Sequence, residues 1–445
     1  MQIFIKDDLA PEATAMLQAL YSRSPKSVVE HVAKVNAVGA DKFMAQYYVG
    51  YGHQSIGDCG TTTIFIEGIS LLAAKAIQSH PLYNGQEAST RYMDFSVREC
   101  VSPVLGTRPF RDTAKDLQQA WIDLSSEVQR TMVAHYTAKY ACPSDDKGEF
   151  AKTVQAKAFD VARGFLPAGV TTNVSWHVNL RQAQDHIDTL LFHPLAEVRL
   201  VAKEVMFLLQ QQYPSSFNRT PRPATMEYID QTFWEVAPKV GEVDGDFERW
   251  FSCRDELFDF GNAQRQSLLW RNRPPRAPLP RSTDMLGRLE FRFMLDFGSF
   301  RDLQRHRSCL IAHGDLEPAT THSWYLSALC GASGGDILAL RAAQLQHDIQ
   351  KYFGSDRYAA YYCPLATLVP VVMQCSLNSA VYIAELRSGQ TVHPTLRKVA
   401  QQMAAWLGMV IPGMSGNVHA DMSPDQWSLK RGTQDITEIA PPTHG

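Results

Sequence analysis

The sequence has little net charge and lacks a long apolar run. Its 43 lysine and arginine residues nearly balance its 46 aspartate and glutamate residues, which leaves a formal net charge of −3. No overall basic field therefore favours DNA or RNA as a partner, and any site for an anion must be local. No apolar stretch approaches the length of a membrane span, so no membrane partner is expected either.

The sequence also lacks paired cysteine motifs. Its eight cysteines are scattered, and none form a CxxC pair. This spacing argues against a metal centre of the zinc type and against a disulfide framework, and it predicts a reducing, cytoplasmic location. The first residues, MQIFIKDDLAPEA, include acidic side chains at once, which is not the pattern of a secretory signal. No cysteine has a sequence neighbour that marks it as a nucleophile.

What the sequence does contain is a soluble, globular composition, with 45% hydrophobic and 20% charged residues. Its 445 residues are too many for one ordinary core, so two domains are expected.

A polar stretch, Gln86–Tyr92, places Glu87, Ser89 and Arg91 at every second position. In an extended segment these three side chains share one face. A carboxylate, a hydroxyl and a guanidinium on one face suit a polar anionic ligand such as a nucleoside phosphate. A solvated strand edge would show the same pattern.

The first half contains both strand and helix patterns, with Gln2–Ile5 as a short strand candidate. Thr61–Ile66 is rich in β-branched residues and predicts a strand, and Ser70 is placed to cap a helix over Leu71–Gln78. Trp176–Leu191 and Ala196–Gln212 are predicted to be two further helices.

The second half begins after a stretch rich in proline and arginine. Residues 213–285 are interpreted as a connector with one helical piece, Phe247–Phe260. Leu289–Leu295 alternates at period two and predicts a strand, and Ser299–His306 predicts a helix ending in Arg305-His306-Arg307. Arginines at a helix end also simply complement the helix dipole.

The two halves repeat the same order of strand, break, helix and polar tip, which indicates a diverged tandem duplication with halves of roughly 200 residues. Four pairs of segments are matched on their residues. They are Gln78-Ser79-His80 with Arg305-His306-Arg307, Asn179 with Asn378, His193-Pro194 with His393-Pro394, and Glu197-Val198-Arg199 with Thr395-Leu396-Arg397.

These motifs resemble the flavin-dependent thymidylate synthases, whose signature is RHR followed closely by ExSxRY. Here the signature is split between the halves. The first half keeps Glu87–Tyr92 and has Gln78-Ser79-His80 in the RHR place. The second half keeps Arg305–Arg307 and has Thr321–Tyr325 in the ExSxRY place.

Other positions resemble the family's ligand-binding residues. Arg163 lies before a Leu-Pro pair like the nucleotide-binding arginine, and Asn179 with Arg181 resembles the flavin-binding NxR. Arg387 resembles the second nucleotide-binding arginine, and its first-half position falls near Leu190.

The resemblance implies a role for each matched residue. The implied catalytic residues are Arg387, Arg305 and Ser89. The implied substrate-binding residues are Glu87, Ser89, Arg91, Arg163 and Arg387. The implied flavin-binding residues are His53, Arg305, His306, Arg307, Asn179 and Arg181.

The resemblance further implies transfer of a methyl group to carbon 5 of dUMP or a similar nucleotide, at one composite site per chain. FAD would be the cofactor, with methylenetetrahydrofolate and NADPH as co-substrates. Because the family is tetrameric, a fused chain of two halves would form a homodimer. Two alternatives stay open: methyl or hydroxymethyl transfer to another pyrimidine nucleotide, and a non-catalytic protein that binds a nucleotide or flavin.

The expected fold class is α+β, with two tandem synthase-like domains that each pack helices on a small, mostly antiparallel sheet. The predicted ranges are 1–213 for the first domain, 214–285 for the connector, 286–425 for the second domain and 426–445 for a tail.

Overall fold

The computed structural model mixes helices with three small sheets. It describes residues 9–21, 28–46, 54–88, 95, 97–103, 108–141, 147–217, 223–232, 250–318, 320–354, 356–424, 429–431 and 434–438. The strand orders are β1-β4-β2, β3-β10-β9 and β5-β6-β8-β7, and the sheets are largely antiparallel. The predicted α+β class is confirmed.

The helices and strands of these ranges alternate along the chain. The helices are α1 Pro11–Tyr21, α2 Val28–Val38, α3 Asp41–Phe43, α4 Leu71–Gln78, α5 Arg108–Lys139, α6 Lys147–Ala162, α7 Leu180–Leu190, α8 Ala196–Gln212, α9 Pro214–Phe217, α10 Pro223–Thr232, α11 Phe260–Gln266, α12 Phe297–Leu303, α13 Ser323–Cys330, α14 Gly335–Phe353, α15 Leu377–Arg387 and α16 Pro394–Val410. The strands are β1 Thr61–Ser70, β2 Asn84–Glu87, β3 Tyr140–Ala141, β4 Thr171–Asn179, β5 Phe251–Arg254, β6 Leu289–Asp296, β7 Leu310–His313, β8 Leu368–Cys375, β9 Leu429–Arg431 and β10 Gln434–Glu438. No helix in these ranges is both long and apolar enough to cross a bilayer.

The chain divides into two compact units. The first contains residues 1–88 and 172–236, and the second contains residues 89–171 and 237–445. The long helices α5 and α6 therefore belong to the second unit, where α5 packs against α6 and α14. The predicted ranges 1–213 and 286–425 describe a sequence repeat, which stays a prediction, and they are not the limits of these units.

In the first unit, two strand-to-helix junctions are fixed by capping side chains. The Ser70 hydroxyl accepts the Ala73 N–H at the start of α4, and the Asn179 side chain accepts the Gln182 N–H at the start of α7. The prediction of a helix from Trp176 was wrong. Trp176 lies in β4, where alternate residues are buried and β2 pairs alongside, so the helix begins only after the cap.

In the second unit, the same two junctions recur. Asp296 caps α12 through the Ser299 N–H, and Ser376 caps α15 through the Ser379 N–H. The prediction that Asn378 matches Asn179 as a helix start was therefore wrong, because Asn378 lies inside the first turn of α15.

The expected connector contributes a strand to the four-stranded sheet β5-β6-β8-β7 of the second unit. Phe251–Arg254 forms β5 and pairs with β6, with Phe251 opposite Phe293. The predicted helical piece over Phe247–Phe260 was wrong in the described residues 250–260, because the Phe251 ring packs on the rings of Phe291 and Phe293 and holds the segment extended.

Candidate active site

The second unit brings together two residues that are far apart in sequence, His306 and Arg387. His306 follows the end of α12 and is only 8% exposed. Arg387, the last residue of α15, donates its Nε–H to His306 Nε2 at 2.9 Å and an Nη–H to the Asp302 carbonyl at 2.7 Å. The contact holds a guanidinium against the buried imidazole, at the position where the resemblance predicts a nucleotide-binding arginine.

His306 is held in its neutral form. Burial, and then the neighbouring charge of Arg387, lower the pKa of His306 to about 3. Because Nε2 accepts a hydrogen bond from Arg387, the ring proton of neutral His306 sits on Nδ1.

This histidine makes the free energy of unfolding fall in acid. Between the unfolded pKa of about 6.5 and the folded pKa of about 3, the unfolded chain binds a proton that folded His306 does not. The contribution of His306 to the free energy of unfolding is therefore fully present above about pH 6.5 and is lost as the pH falls toward 3. His306→Gln, which can still accept from Arg387, should weaken this dependence in urea unfolding measured from pH 7 to pH 4.

The matched control is His347→Gln, an exposed position on α14. It should leave the free energy of unfolding at pH 7 unchanged within about 0.5 kcal/mol. If His306→Gln and the unsubstituted protein lose stability equally on acidification, neutral burial of His306 is refuted.

The two flanking arginines are more accessible. Arg305 is 61% exposed in its side chain, with its Nε 3.6 Å from Asp302 Oδ1. Arg307 donates an Nη–H to the Gln304 carbonyl at 2.8 Å, near the C-terminus of α12. Their guanidinium groups form a cationic rim beside His306, which fits an anionic ligand.

Arg163 also belongs to the second unit, although it precedes residue 213. It is 5% exposed, and its Nε and Nη2 have no hydrogen-bond partner; the Asp160 carboxylate lies 3.9 Å from Nη2. Burial opposes its charge, but the carboxylates of Asp160, Asp302 and Asp296 and the Tyr325 hydroxyl raise the pKa of Arg163. Orphaned donors on a buried cation are rare, and a polar ligand would satisfy them.

A network of buried polar side chains lies beside Arg163. The Tyr325 hydroxyl donates to Asp296 Oδ2 at 2.9 Å, and the Tyr325 ring stacks on His393 with centroids 5.4 Å apart. His393 Nδ1 lies 3.1 Å from Ser299 Oγ and 2.8 Å from Thr395 Oγ1. These contacts tie the start of α12 to the start of α16.

Gly164 leaves the space that Tyr325 occupies. A Cβ at Gly164 would lie 2.3 Å from Tyr325 Cε1, and Tyr325 is fully buried. Gly164→Ala should therefore push Tyr325 away from Asp296 and lower the free energy of unfolding by about 1–3 kcal/mol in urea titrations.

Gly331→Ala is the matched control in the same unit, since the nearest atom to its added Cβ is 3.5 Å away. An equal loss of stability in both variants would show that the Tyr325 contact is not the cause.

Counting from the capping residues of α4 and α12 shows which residues of the two repeated junctions are equivalent. His80 and His306 each lie ten residues after the cap, at Ser70 and Asp296 respectively. Ser79-His80-Pro81, and not Gln78-Ser79-His80, therefore occupies the position of Arg305–Arg307. The predicted match was shifted by one residue, because it aligned polar letters without the helix start.

The strand pairing corrects a second match. Glu87 pairs with Val174 on β4, and His313 pairs with Val371 on β8, at the same distance before the next helix cap. His313 is thus the counterpart of Glu87. The prediction that Thr321–Tyr325 stands in the ExSxRY place was wrong, because this segment instead leads into α13.

A third match shifts by two residues. The helix cap is Leu195 for α8 and His393 for α16, so the two His-Pro dipeptides are not equivalent. The match of Glu197 with Thr395 agrees with the caps, since each lies two residues after its cap. Glu197 accepts hydrogen bonds from the Ser70 backbone and hydroxyl at 2.8 and 2.6 Å.

Glu87 is engaged inside the first unit. Its Oε2 lies 2.7 Å from Lys75 Nζ and 3.0 Å from Gln78 Nε2, and the side chains of Glu87 and Lys75 are 5% and 4% exposed. Its carboxylate therefore braces β2 against α4. The sequence reasoning missed Lys75, whose signal was the single charged residue in the mostly apolar helix LLAAKAIQ.

The remaining predicted residues separate into two groups. Asn179 uses its side chain to cap α7, and Arg181 lies 2.7 Å from Asp58 Oδ1, so both are engaged within the first unit. His53, Ser89 and Arg91 lie outside the described residues.

Comparisons with known proteins agree with the resemblance. Residues 6–215 match the family model described as thymidylate synthase complementing protein. A UPF0159 protein of Chlamydia pneumoniae is 26% identical over 416 residues, covering 81% of this chain and 77% of that protein. A UPF0159 protein of Thermoplasma acidophilum is 23% identical over 476 residues, covering 90% and 93%.

A solved structure of the flavin-dependent thymidylate synthase ThyX of Helicobacter pylori, complexed with FAD and dUMP, is 13% identical. The match covers 46% of this chain and 95% of the ThyX chain, and its TM-score is 0.27.

The chain is thus an α+β protein that carries the sequence features of the flavin-dependent thymidylate synthases. Residues 6–215, slightly less than half of the chain, are similar to the thymidylate synthase complementing protein family. The matched range contains Glu87, Arg91, Arg163 and Arg181, and it ends before the segment of Arg305–Arg307.

Proposed function

We propose that this protein is a flavin-dependent thymidylate synthase-like enzyme that transfers a methyl group to carbon 5 of a uridine monophosphate. The observation that supports this most is the grouping of Arg163, His306 and Arg387 in one compact unit, which also contains the exposed Arg305 and the half-buried Arg307. The match of residues 6–215 to the thymidylate synthase complementing protein model supports the same reaction class.

The residues present fit a flavin and a nucleotide. The phosphates of FAD are anionic. Arg305 and Arg307 offer accessible guanidinium groups that would bind them. The Nε and Nη2 of Arg163 are buried donors without a hydrogen-bond partner in the protein, and they suit a nucleotide phosphate or a base carbonyl. When bound, FAD would supply the redox chemistry, with NADPH and methylenetetrahydrofolate as proposed co-substrates.

The protein's own residues would bind and orient the nucleotide. Arg387, fixed by His306 and the Asp302 carbonyl, would place positive charge where the pyrimidine ring gains negative charge. His306, neutral and buried, would support that guanidinium without adding a second charge. Ser89 and Arg91 are proposed to bind the nucleotide phosphate, by resemblance.

The test is the absorbance spectrum of the purified protein, followed by titration with dUMP. Flavin bands at about one equivalent per chain, perturbed by dUMP, would support one working site. A colourless protein that takes up no added FAD would contradict the redox reaction. A flavin absorbance spectrum that changes with another pyrimidine nucleotide but not with dUMP would identify that nucleotide as the substrate.

Arg305→Ala should weaken FAD binding by at least about tenfold, because a charge-assisted contact to a phosphate is lost. The side chain is largely exposed, so the fold should be unaffected. Fluorescence titration with FAD measures the change. Ser79→Ala, at the equivalent position of the first unit, is the control and should bind FAD normally.

The repeated capped junctions further support a tandem duplication, and by resemblance to a four-domain assembly we propose that the chain forms a homodimer in the cytoplasm. A monomeric mass from light scattering at micromolar concentration would refute the dimer.

A further inference from the structure

Two cysteines that the sequence did not mark, Cys309 and Cys375, lie at the same end of the sheet of the second unit. Cys375 ends β8, and Cys309 directly precedes β7, which begins at Leu310 opposite Gln374. Because β7 and β8 are antiparallel, continuing their register by one residue sets Cys309 opposite Cys375. The two thiols are close enough for each to shift the pKa of the other.

This placement suits a disulfide. Residues directly opposite on antiparallel strands have Cβ atoms about 4.5–5.5 Å apart, and a disulfide needs about 3.5–4.5 Å. Only a small local adjustment separates the two geometries. Both cysteines are free thiols in the structure.

The two thiols have unequal surroundings. Cys309 is partly exposed, whereas Cys375 is buried. Near Cys309, the Ser308 hydroxyl lies 3.8 Å from Sγ, and Ser379, in the first turn of α15, donates to the Ser308 hydroxyl at 3.0 Å. An accessible thiol among donors, with a second thiol behind it, is the arrangement of an attacking and a resolving cysteine.

Electrostatics favour the same assignment. The hydrogen bond from Cys375, helped by Ser308, Ser379 and the charge of Arg288, lowers the pKa of the Cys309 thiol although burial opposes this. The pKa of Cys375 is raised, first by its hydrogen bond with Cys309 and then by burial. Cys309 is therefore the thiol that ionises first.

We propose that Cys309 and Cys375 form a peroxide-reactive thiol pair that closes to an intramolecular disulfide. The Cys309 thiolate attacks one oxygen of hydrogen peroxide, so an S–O bond forms, the O–O bond breaks, and the other oxygen takes a proton and leaves as water. The Cys375 thiol then attacks the Cys309 sulfur, so the S–S bond forms, the S–O bond breaks, and a second water leaves. Two thiols are oxidised by two electrons, which reduce one peroxide to two waters.

The disulfide would act on the segment that carries the candidate active site. Cys309 follows Arg307 by two residues, and Cys375 directly precedes the cap of α15, whose last residue is Arg387. The bond would tie these two segments together at a second point besides the contact of His306 with Arg387. Any change in catalysis on oxidation rests on the proposed function, whereas formation of the bond does not.

The test treats the full-length protein with about one equivalent of hydrogen peroxide, blocks the remaining thiols with a maleimide and maps the peptides by mass spectrometry. A Cys309–Cys375 crosslink that forms at least about tenfold faster than modification of Cys253, and that dithiothreitol reverses, is the expected result. In Cys375→Ser, the crosslink should be replaced by a Cys309 sulfenic acid that dimedone traps.

Cys253→Ser is the matched control. Cys253 lies on β5 of the same sheet, and burial first and Asp255 second raise the pKa of its thiol to about 12, so its loss should leave the crosslink unchanged. A Cys309 that stays reduced while other cysteines oxidise, or that bonds to a different cysteine, would overturn the proposal. A crosslink in a protein that binds neither FAD nor dUMP would uphold it and reject only the proposed function.

Discussion

Replacing Arg387 with methionine is expected to lower kcat/KM for methyl transfer to dUMP by about 10²–10³-fold. Arg387 is fixed at both ends of its guanidinium, by His306 at 2.9 Å and by the Asp302 carbonyl at 2.7 Å. A cation held in this way needs no reorganisation when charge develops on the pyrimidine ring. Steady-state kinetics with NADPH oxidation as the signal measures the loss.

The matched control lies in the first unit. α7 and α15 are both 11 residues long, and each follows its capping residue directly, so Leu190 and Arg387 occupy the same helix position. Leu190→Met should leave kcat/KM unchanged within about twofold, because a volume-conserving apolar exchange perturbs a core little. The pair separates the loss of a functional cation from a general disturbance of the helix end.

Arg387→Lys refines the result. Lysine keeps the positive charge but lacks the planar fork that reaches both His306 and Asp302, so intermediate activity is expected. Flavin content must be measured in each variant by absorbance. Full activity in Arg387→Met with normal flavin content would show that Arg387 plays no part in the reaction.

Local signals in the sequence were sufficient at α4, but not at α12, where the predicted helix Ser299–His306 instead spans Phe297–Leu303 after the Asp296 cap. The helix Leu71–Gln78 and its cap Ser70 were predicted with their observed bounds. The strand at Leu289–Leu295 was also predicted, because its alternation is a local property. Such elements depend on neighbours within a few residues, which the sequence displays directly.

The errors came from non-local structure. Trp176 was assigned to a helix, but it lies in β4, which is the middle strand of its sheet, between β1 and β2. Phe251–Arg254 was read as part of a connector because its strand partner is β6, about 40 residues later. Sequence patterns do not show which strands meet.

The sequence names candidate site residues but not their arrangement. The structure puts Arg387 against His306, and the role of both in a site stays a prediction. Arg163 was assigned to the first half, but α5 and α6 pack in the second unit and carry Arg163 with them. That packing depends on tertiary contacts, which no local motif encodes.

The Lys75–Glu87 pair shows a further limit. Glu87 lies in a motif that resembles a ligand-binding one, and no sequence pattern near it predicts a buried lysine as its partner. In the structure the carboxylate already has Lys75 and Gln78 as partners. The Glu87 carboxylate therefore stabilises the fold first, and it affects the residues that follow it through the fold.

Lys75→Met is expected to lower the free energy of unfolding by about 3–5 kcal/mol, because it removes the ammonium group that lies 2.7 Å from the buried Glu87 carboxylate. Both side chains are 5% exposed or less, so water cannot replace the lost partner. The Gln78 amide keeps one hydrogen bond to Glu87 but supplies no charge. Urea unfolding followed by circular dichroism at pH 7 measures the change.

The double variant Lys75→Met/Glu87→Leu isolates the interaction. It removes both charges, so most of the lost stability should return, and the double-mutant cycle should give a coupling energy of at least about 2 kcal/mol. The second unit already has an uncharged residue at this position, since His313 takes the place of Glu87. A double variant as unstable as Lys75→Met alone would mean that the pair is not the cause of the loss.

The same double variant separates a purely structural role from a positioning role. Glu87 opens the segment Glu87–Tyr92, which is proposed to bind the nucleotide phosphate. If Lys75 and Glu87 also position that segment, the double variant should recover stability while its KM for dUMP stays raised by about tenfold. If stability and KM both recover, the pair only supports the fold. Because β2 ends at Glu87 and its register against β4 is fixed there, we expect the raised KM.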